Sequence, residues 1–444
     1  MKKEIQLSDH FSYARLIRFV LPSVAMMIFT SIYGVVDGLF VSNFVGKTPF
    51  AAVNIIFPLM MILGGFGFML GTGGTAIVAK TLGLNEKQKA NEYFTFIIIT
   101  TALLGTILAT LAIIFIEPIA MLFGAKGEML DHAVLYGRVV LIGMPFFMLQ
   151  NSFQNFFVTA EKPKLGLFVT VLAGVTNMLL DALFVGLFKW GLVGAAAATA
   201  LSQAVGAVIP IFYFLAKNTA AIRFTKTRAY WRVLFDACIN GSSELLSNIS
   251  SSLVAVLYNY QLLRFAGEDG VAAYGAIMYV AFIFIAIFIG FVIGSAPIVS
   301  FHFGAGNTDE LKNLRKKSIN IVFLAGLAML VIAFILAVPL CRIFVGYDEG
   351  LYKITLRAFI IYSISYVVTG YNVFGSSFFT ALNNGPVSAV ISFLRTLVFQ
   401  TTSVLLLPEI FKLDGVWMSV IVAEVMSAVV TTVFLIAKRK RYNY

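Results

Sequence analysis

The sequence predicts an all-α integral membrane protein: twelve transmembrane helices, arranged as two six-helix bundles about a pseudo-two-fold axis along the membrane normal. Three observations predict it. Of 444 residues, 60% are hydrophobic and 12% charged, about half the charged fraction of an ordinary soluble chain. Apolar runs of about 18 residues or more, enough for a helix to cross a bilayer core, recur along the whole chain. They do not alternate as the short strands of a membrane barrel do. Finally, a single register shift relates the first half of the chain to the second.

The runs place spans at roughly 16–40, 50–79, 93–116, 134–158, 165–187, 192–216, 237–262, 272–300, 318–340, 355–380, 387–407 and 414–437. The first ten residues are polar and charged, and the first apolar run is long enough to span, so no cleavable leader is expected. With twelve spans both termini share a side. That side carries 22 Lys and Arg, in the N-terminal segment, around Lys80 to Lys89, at Lys162 and Lys164, from Lys217 to Arg232, from Lys312 to Lys317 and from Lys438 to Arg441. The other side carries 9, including Lys47, Lys126, Arg264 and Lys412. Positive loops stay inside, so both termini are expected in the cytoplasm of a multi-pass cell-membrane protein. The net charge of +11 is then topology charge beside lipid headgroups. No basic face interleaved with aromatics points to nucleic acid.

The repeat appears when "AAVNIIFPLMMILGGFGFMLGTGGTAIVAK" from Ala51 is set against "AAYGAIMYVAFIFIAIFIGFVIGSAPIVSF" from Ala272. The shift is 221 positions, and it puts Gly73 on Gly294 and Ile77-Val78 on Ile298-Val299. The same shift aligns Thr159-Ala160 with Thr380-Ala381, Gly194 with Gly415 and Gln203 with Glu424. The expected organisation is a first lobe over residues 1–216, a basic cytoplasmic linker over 217–236 and a second lobe over 237–444. Six spans per half is an even number, so both halves enter the membrane the same way up and their symmetry axis follows the membrane normal. Two such bundles leave a cleft between them, the geometry of a transporter that opens alternately to each side.

Once loop charges are set aside, Asp37, Asp181, Glu244 and Glu424 are the acids left inside spans, and Arg395 the one base. A charge at mid-membrane costs at least about 3 kcal/mol on insertion scales, so such groups mark function. Asn177 and Asp181, four residues apart, share a helix face. Asp37 sits between Gly34 and Gly38, in a span that also holds Pro22, features that permit a bend. A desolvated carboxylate can hold a proton near neutral pH; with amide and hydroxyl oxygens it also suits a small cation. Asp37, Asn177, Asp181 and a hydroxyl such as Thr199 supply that oxygen set, all in the first lobe. Glu244 and Glu424 are secondary acidic candidates, and Arg395 is expected to neutralise one of them. Met26, Met27, Met144, Phe147, Met148, Asn151 and Gln154 are the candidates for lining an adaptable cleft.

Other chemistry is thin. "GTAIVAKT" from Gly74 has Ala79 where a phosphate-binding loop needs Gly, and it ends a membrane helix instead of following a strand. Nucleotide binding is therefore not expected. Cys238 and Cys341 lack metal or redox spacing, and His10, His132 and His302 are scattered. No catalytic constellation suggests an enzyme. Asn240-Gly-Ser and Asn248-Ile-Ser match the glycosylation triplet but lie at or within span seven.

"NMLLDALF" in span five, "GLVGAAAATALSQ" in span six and the span-one Asp in "VVDGLFVSNFVG" resemble the multidrug and toxic compound extrusion (MATE) transporters over essentially the whole chain; "GEDGVAAYG" from Gly267 resembles that family's loop after span seven. The resemblance implies that Asp37, Asn177, Asp181 and Thr199 form a first-lobe proton or sodium site. Some members instead use acids on spans seven and ten. Here Glu244 fits the first of these but span ten has no acid, which favours the first lobe. The expected function is export of lipophilic, mainly cationic compounds in exchange for H+ or Na+, by a monomer that needs no cofactor. The alternative is a flippase for lipid-linked oligosaccharides, which would require several buried bases to grip a pyrophosphate.

Overall fold

A computed structural model describes residues 5–444, apart from the side chains of Leu39, Ser42, Asn43 and Lys47. Lys2 and Lys3 of the charge pattern, and the Lys47 side chain, lie outside the described residues. Among the described residues there are helices and no strands. The first six spans are Tyr13–Phe44, Lys47–Gly83, Lys87–Ile114, the bent pair Glu128–Ile142 and Met144–Thr159, Pro163–Asp181 with its π-helical extension Ala182–Leu187, and Gly191–Leu215. Helix Trp231–Gly304 holds spans 7 and 8, because Gly267, at φ 60°, breaks it. Span 9 is Thr308–Val345, and span 10 is the bent pair Glu349–Ser363 and Tyr366–Ala381. Gly385–Phe393, the π-helical Leu394–Phe399 and Gln400–Tyr442 make spans 11 and 12, separated at Lys412 with φ 52°. That is twelve crossings among the described residues, as the hydropathy predicts.

The bends in spans 4 and 10 are 51° and 48°. In span 4 the break falls just before Pro145, whose ring cannot continue the preceding helix. Span 10 breaks at the equivalent place without a proline, at Ile364 and Ser365. Span 7 starts at Trp231, inside the stretch read as linker. The rest of that stretch is bound to the first half: Ala221 N–H donates to the Ala160 carbonyl, and Arg223 N–H to Asn91 Oδ1 at 3.0 Å.

Backbone geometry carries the repeat further than side chains do. Left-handed residues fall in pairs: Gly46 with Gly267, Asn85 with Gly306, Glu161 with Asn383 and Lys189 with Lys412. These pairs lie 221, 221, 222 and 223 positions apart. Each stands at the corresponding turn between helices of its own half, where the chain takes a positive φ.

The halves meet most tightly at the end that holds both termini, along a seam of small residues that brings backbones together. A Cβ on Gly83 would lie 2.1 Å from the Phe301 carbonyl oxygen, and one on Gly304 would lie 2.1 Å from that of Lys80. Those two contacts are exchanged by the 221-residue shift. Gly73 and Gly241 make a second such approach, to Ala237 and Met69. Contact continues as far as Ser31, whose hydroxyl donates to the Phe282 carbonyl. Beyond it, Gly34, Gly38 and Gly275 face open space, and the helix through Gly34 and Gly38 is unbroken. The open space at these glycines lies away from the termini.

An N-terminal strap closes the sealed end. Leu7 and Phe11 are buried in the apolar core of the second half. Leu7 N–H donates to Glu161 Oε1 of the first half at 2.7 Å. Phe11 N–H donates to Glu310 Oε1 of the second half at 2.9 Å, and His10 Nδ1 lies 2.6 Å from Glu310 Oε2. Burial raises the Glu310 pKa, but donation from Phe11, His10 and Asn313 outweighs it, so the net shift is downward. A depressed carboxylate adds stability that is complete above its free value, about 4.3, and is lost as the pH falls through the lowered value. Glu310→Ala should therefore free the strap at neutral pH. The check is hydrogen exchange at the Leu7 and Phe11 amides, which should accelerate in the variant and, in the parent, only in acid.

Candidate functional site

The site is built where span 1 lies directly on span 5. Gly174 allows this: a Cβ there would sit 2.5 Å from Phe29 Cε1 and 2.9 Å from Tyr33 Cδ1. One turn beyond Tyr33 stands Asp37; one and two turns beyond Gly174 stand Asn177 and Asp181. The shared face predicted for those two therefore points at span 1. The Asp37 carboxyl lies against Asp181, Asn177 and Thr199, all three within side-chain hydrogen-bonding reach. The structure thus gathers the four residues singled out in the sequence into one cluster.

The polar accounting of that cluster is unusual. Asp181 is fully buried and Asn177 almost so. Both carboxylate oxygens of Asp181, Asp37 Oδ1 and Asn177 Oδ1 are buried with no hydrogen-bond partner. The Thr199 hydroxyl spends its proton on the Ala195 carbonyl, at 3.0 Å, leaving its lone pairs as acceptors. Buried polar atoms in native proteins are nearly always satisfied. Here several acceptors face one another, and the side-chain donor beside them is the Asn177 amide, within reach of Asp37. Two carboxylates so placed cannot both stay charged without a counter-charge. Asp181 also opens the π-helical segment Ala182–Leu187, a distortion frequent at functional sites.

Two tyrosines complete the surroundings and were not anticipated. Tyr136 of span 4 lies within electrostatic reach of Asp37 and Asp181. Tyr33, one turn before Asp37, reaches Gln150. The four-residue spacing from Asp37 was a signal for Tyr33; nothing local marked Tyr136.

The second half does not repeat the cluster. At a shift of 221, Asp37, Asn177, Asp181 and Thr199 correspond to Tyr258, Val398, Thr402 and Val420. It holds instead a closed polar network. Arg395 Nε donates to both oxygens of Glu424, at 3.0 and 3.1 Å, and its Nη2 donates to Oε1 at 2.8 Å. Asn372 Nδ2 donates to Glu424 Oε2 at 2.6 Å, and Thr431 Oγ1 donates to Asn372 Oδ1 at 3.4 Å. The partner of Arg395 is therefore Glu424, not Glu244. Glu244 stands half-buried on span 7 within reach of the Arg395 charge, its backbone carbonyl accepting from Asn248. The first-half counterparts of Asn372 and Glu424 are Asn151 and Gln203, where Asn151 Nδ2 and Gln203 Oε1 are buried without partners.

The cleft candidates divide. Met144 and Met148 are fully buried in the apolar packing of the first half; Met148 backs onto Gly67 and Gly105. Here they fill the lobe and offer no surface to a ligand. Met26 is likewise buried, in the core of the second half, and Gln154 is bound to Thr170. Phe147 and Met27 remain partly accessible. Among the described residues no group of three His, Cys, Asp or Glu could hold a metal ion.

Comparison with known proteins agrees with this architecture. The MatE family model matches twice, over residues 22–183 and 245–403, once per half. The multidrug export protein MepA of Staphylococcus saprophyticus is 24% identical over 433 residues, covering 96% of this chain and 94% of that protein. MepA of Staphylococcus haemolyticus is 22% identical, covering 97% of this chain and 94% of its own. Among solved structures, a MATE family transporter of the MOP superfamily in its outward-facing conformation superposes with a TM-score of 0.93 at 22% identity, over 100% of this chain and 99% of that one. A MATE in its straight conformation gives 0.93 at 23% identity with the same coverage. Matched by the family model over both its halves, the chain belongs to the MatE family, the multidrug and toxic compound extrusion transporters.

Proposed function

We propose that this transporter is a secondary antiporter that expels lipophilic, mainly cationic compounds in exchange for H+ or Na+ bound at Asp37, Asn177, Asp181 and Thr199. The observation that carries the reading is the set of buried, unpartnered oxygens shared between spans 1 and 5. A site that must bind and release a cation in every cycle is one that the protein's own donors leave unsatisfied. Loading it removes the repulsion between the two carboxylates and lets span 1 draw onto span 5, narrowing the cleft. Emptying it restores that repulsion and widens the cleft for a drug. Drug and ion are then antagonists through one helix. The relatives named as multidrug export proteins support the substrate class.

The end that carries the strap and the glycine seam is taken as cytoplasmic, following the loop charges. The cleft then opens outward, and the chain acts as a monomer in the cell membrane with no cofactor. The flippase alternative loses ground, because Arg395, the base within the apolar run of span 11, is held by Glu424 and is not free to grip a pyrophosphate.

The test is efflux of a fluorescent lipophilic cation from liposomes containing the purified protein, with proton and sodium gradients imposed separately. One gradient should drive accumulation against the dye's own gradient and the other should not, which identifies the ion. Dye movement indifferent to both gradients would overturn antiport.

A further inference from the structure

Span 9 begins with two functional faces. Glu310, Asn313 and Lys317 hold the N-terminal strap. Lys312, Arg315 and Lys316, spaced three and four residues apart, point to the other side. With Arg439 and Tyr444 from the end of span 12, they line a cavity of 310 Å³. The Arg315 guanidinium lies over the Tyr444 ring, 5.3 Å from its centre, which fixes its plane. Its Nε is buried and has no acceptor. Among the neighbouring side chains, Asp309 is a carboxylate, and it pairs with Lys312 at 3.1 Å. Arg315, Lys316 and Arg439 have no ion-pair partner among the described residues.

We propose that this cavity binds the phosphate of an anionic glycerophospholipid from the leaflet on the side of the termini. Arginine's planar fork suits phosphate oxygens, and the neighbouring lysine adds a point charge. The depth fits a headgroup: the apolar run of span 9 begins at Ile319, one turn beyond Arg315, so the cations stand just outside the hydrocarbon. The stripe continuing from Ile319 supports a lipid over free phosphate. Phe323 and Leu327, each one turn further along the same face, are large, apolar and exposed, and offer a track for an acyl chain. A basic pocket between helices at the inner surface, opening onto such a track, is a recognised form of anionic-lipid site.

The experiment uses the full chain in nanodiscs of phosphatidylcholine doped with phosphatidylglycerol, with retained lipid read by native mass spectrometry. Phosphatidylglycerol should be retained in preference to phosphatidylcholine. The preference should fall by about a hundredfold when Arg315, Lys316 and Arg439 are all changed to Gln, at about fivefold for each cation removed. If that variant fails to fold, Lys316→Gln alone, at an exposed position, should still lower the preference by about fivefold. Millimolar inorganic phosphate should leave retention unchanged. Equal retention of the two lipids, a preference that survives Lys316→Gln and the triple change, or full displacement by inorganic phosphate would each overturn the proposal; the last would identify a soluble anion as the ligand.

Discussion

Asp181→Asn is expected to reduce gradient-driven drug efflux to the passive leak while leaving the protein as stable as the parent or more so. The two effects have one cause. Both oxygens of Asp181 are buried without a donor, next to Asp37. Asparagine has nearly the same shape and carries no charge. Its N–H2 adds a donor to a cluster with an excess of acceptors, and the loss of charge removes the repulsion between carboxylates. The variant thus imitates the loaded site permanently: well satisfied, and unable to load or unload. If Asp181 were there only for structure, the same change would lower the melting temperature and spare the coupling. Parallel measurements of dye efflux in liposomes and of thermal unfolding in detergent separate the two outcomes.

Glu424→Gln is expected to behave in the opposite way. Glu424 is buried, and it is the acid that holds Arg395 in the membrane interior. Removing one partner of a buried ion pair leaves an uncompensated charge and costs about 3–5 kcal/mol. A large loss of thermal stability and of membrane yield should follow. The double variant Glu424→Gln with Arg395→Met should recover most of it, since no uncompensated charge is then left buried and the Gln oxygen can still accept from Asn372. Recovery in the double variant identifies the pair as structural. On the proposed function, two buried acids, one per half, are expected to have opposite signatures: changing the unsatisfied one should abolish transport, and changing the satisfied one should impair folding.

The difference between those acids was only half legible in the sequence. Asp37, Asn177 and Asp181 could be singled out because a charge inside an apolar run is expensive and so informative. The same reasoning found Glu424 and Arg395, but a list of charges does not say which of them touch. Arg395 could have served Glu244 or Glu424 until the turn of span 11, with its π-helical segment Leu394–Phe399, aimed it at span 12. π-Helical segments leave no trace in hydropathy, because inserting a residue into a uniformly apolar helix changes no pattern.

The spans were legible because length and apolarity suffice to define them. The breaks at Gly267 and Lys412 were legible as loops, though no stretch of extended chain separates the helices there. The cleft was not legible. In a soluble helix the apolar stripe faces the core; in a membrane helix lipid-facing and lobe-facing positions are equally apolar, so Met144 and Met148 could not be told from cleft residues. Their place follows instead from Gly67 and Gly105, which let neighbouring helices press on Met148. Tyr136 was missed for a related reason: as a neutral residue it gives no warning that it stands beside two carboxylates.

The most direct test of the central claim, that drug and coupling ion compete through the Asp37–Asp181 cluster, is ion release on drug binding. Purified protein in weakly buffered detergent solution would be titrated with a lipophilic cation while pH is followed with an indicator dye, and again in sodium with a sodium-sensitive probe. The account predicts that drug binding to the parent releases one of the two ions, and that Asp181→Asn binds the drug with no release. Binding that releases neither ion from the parent, or equal release from the variant, would contradict it.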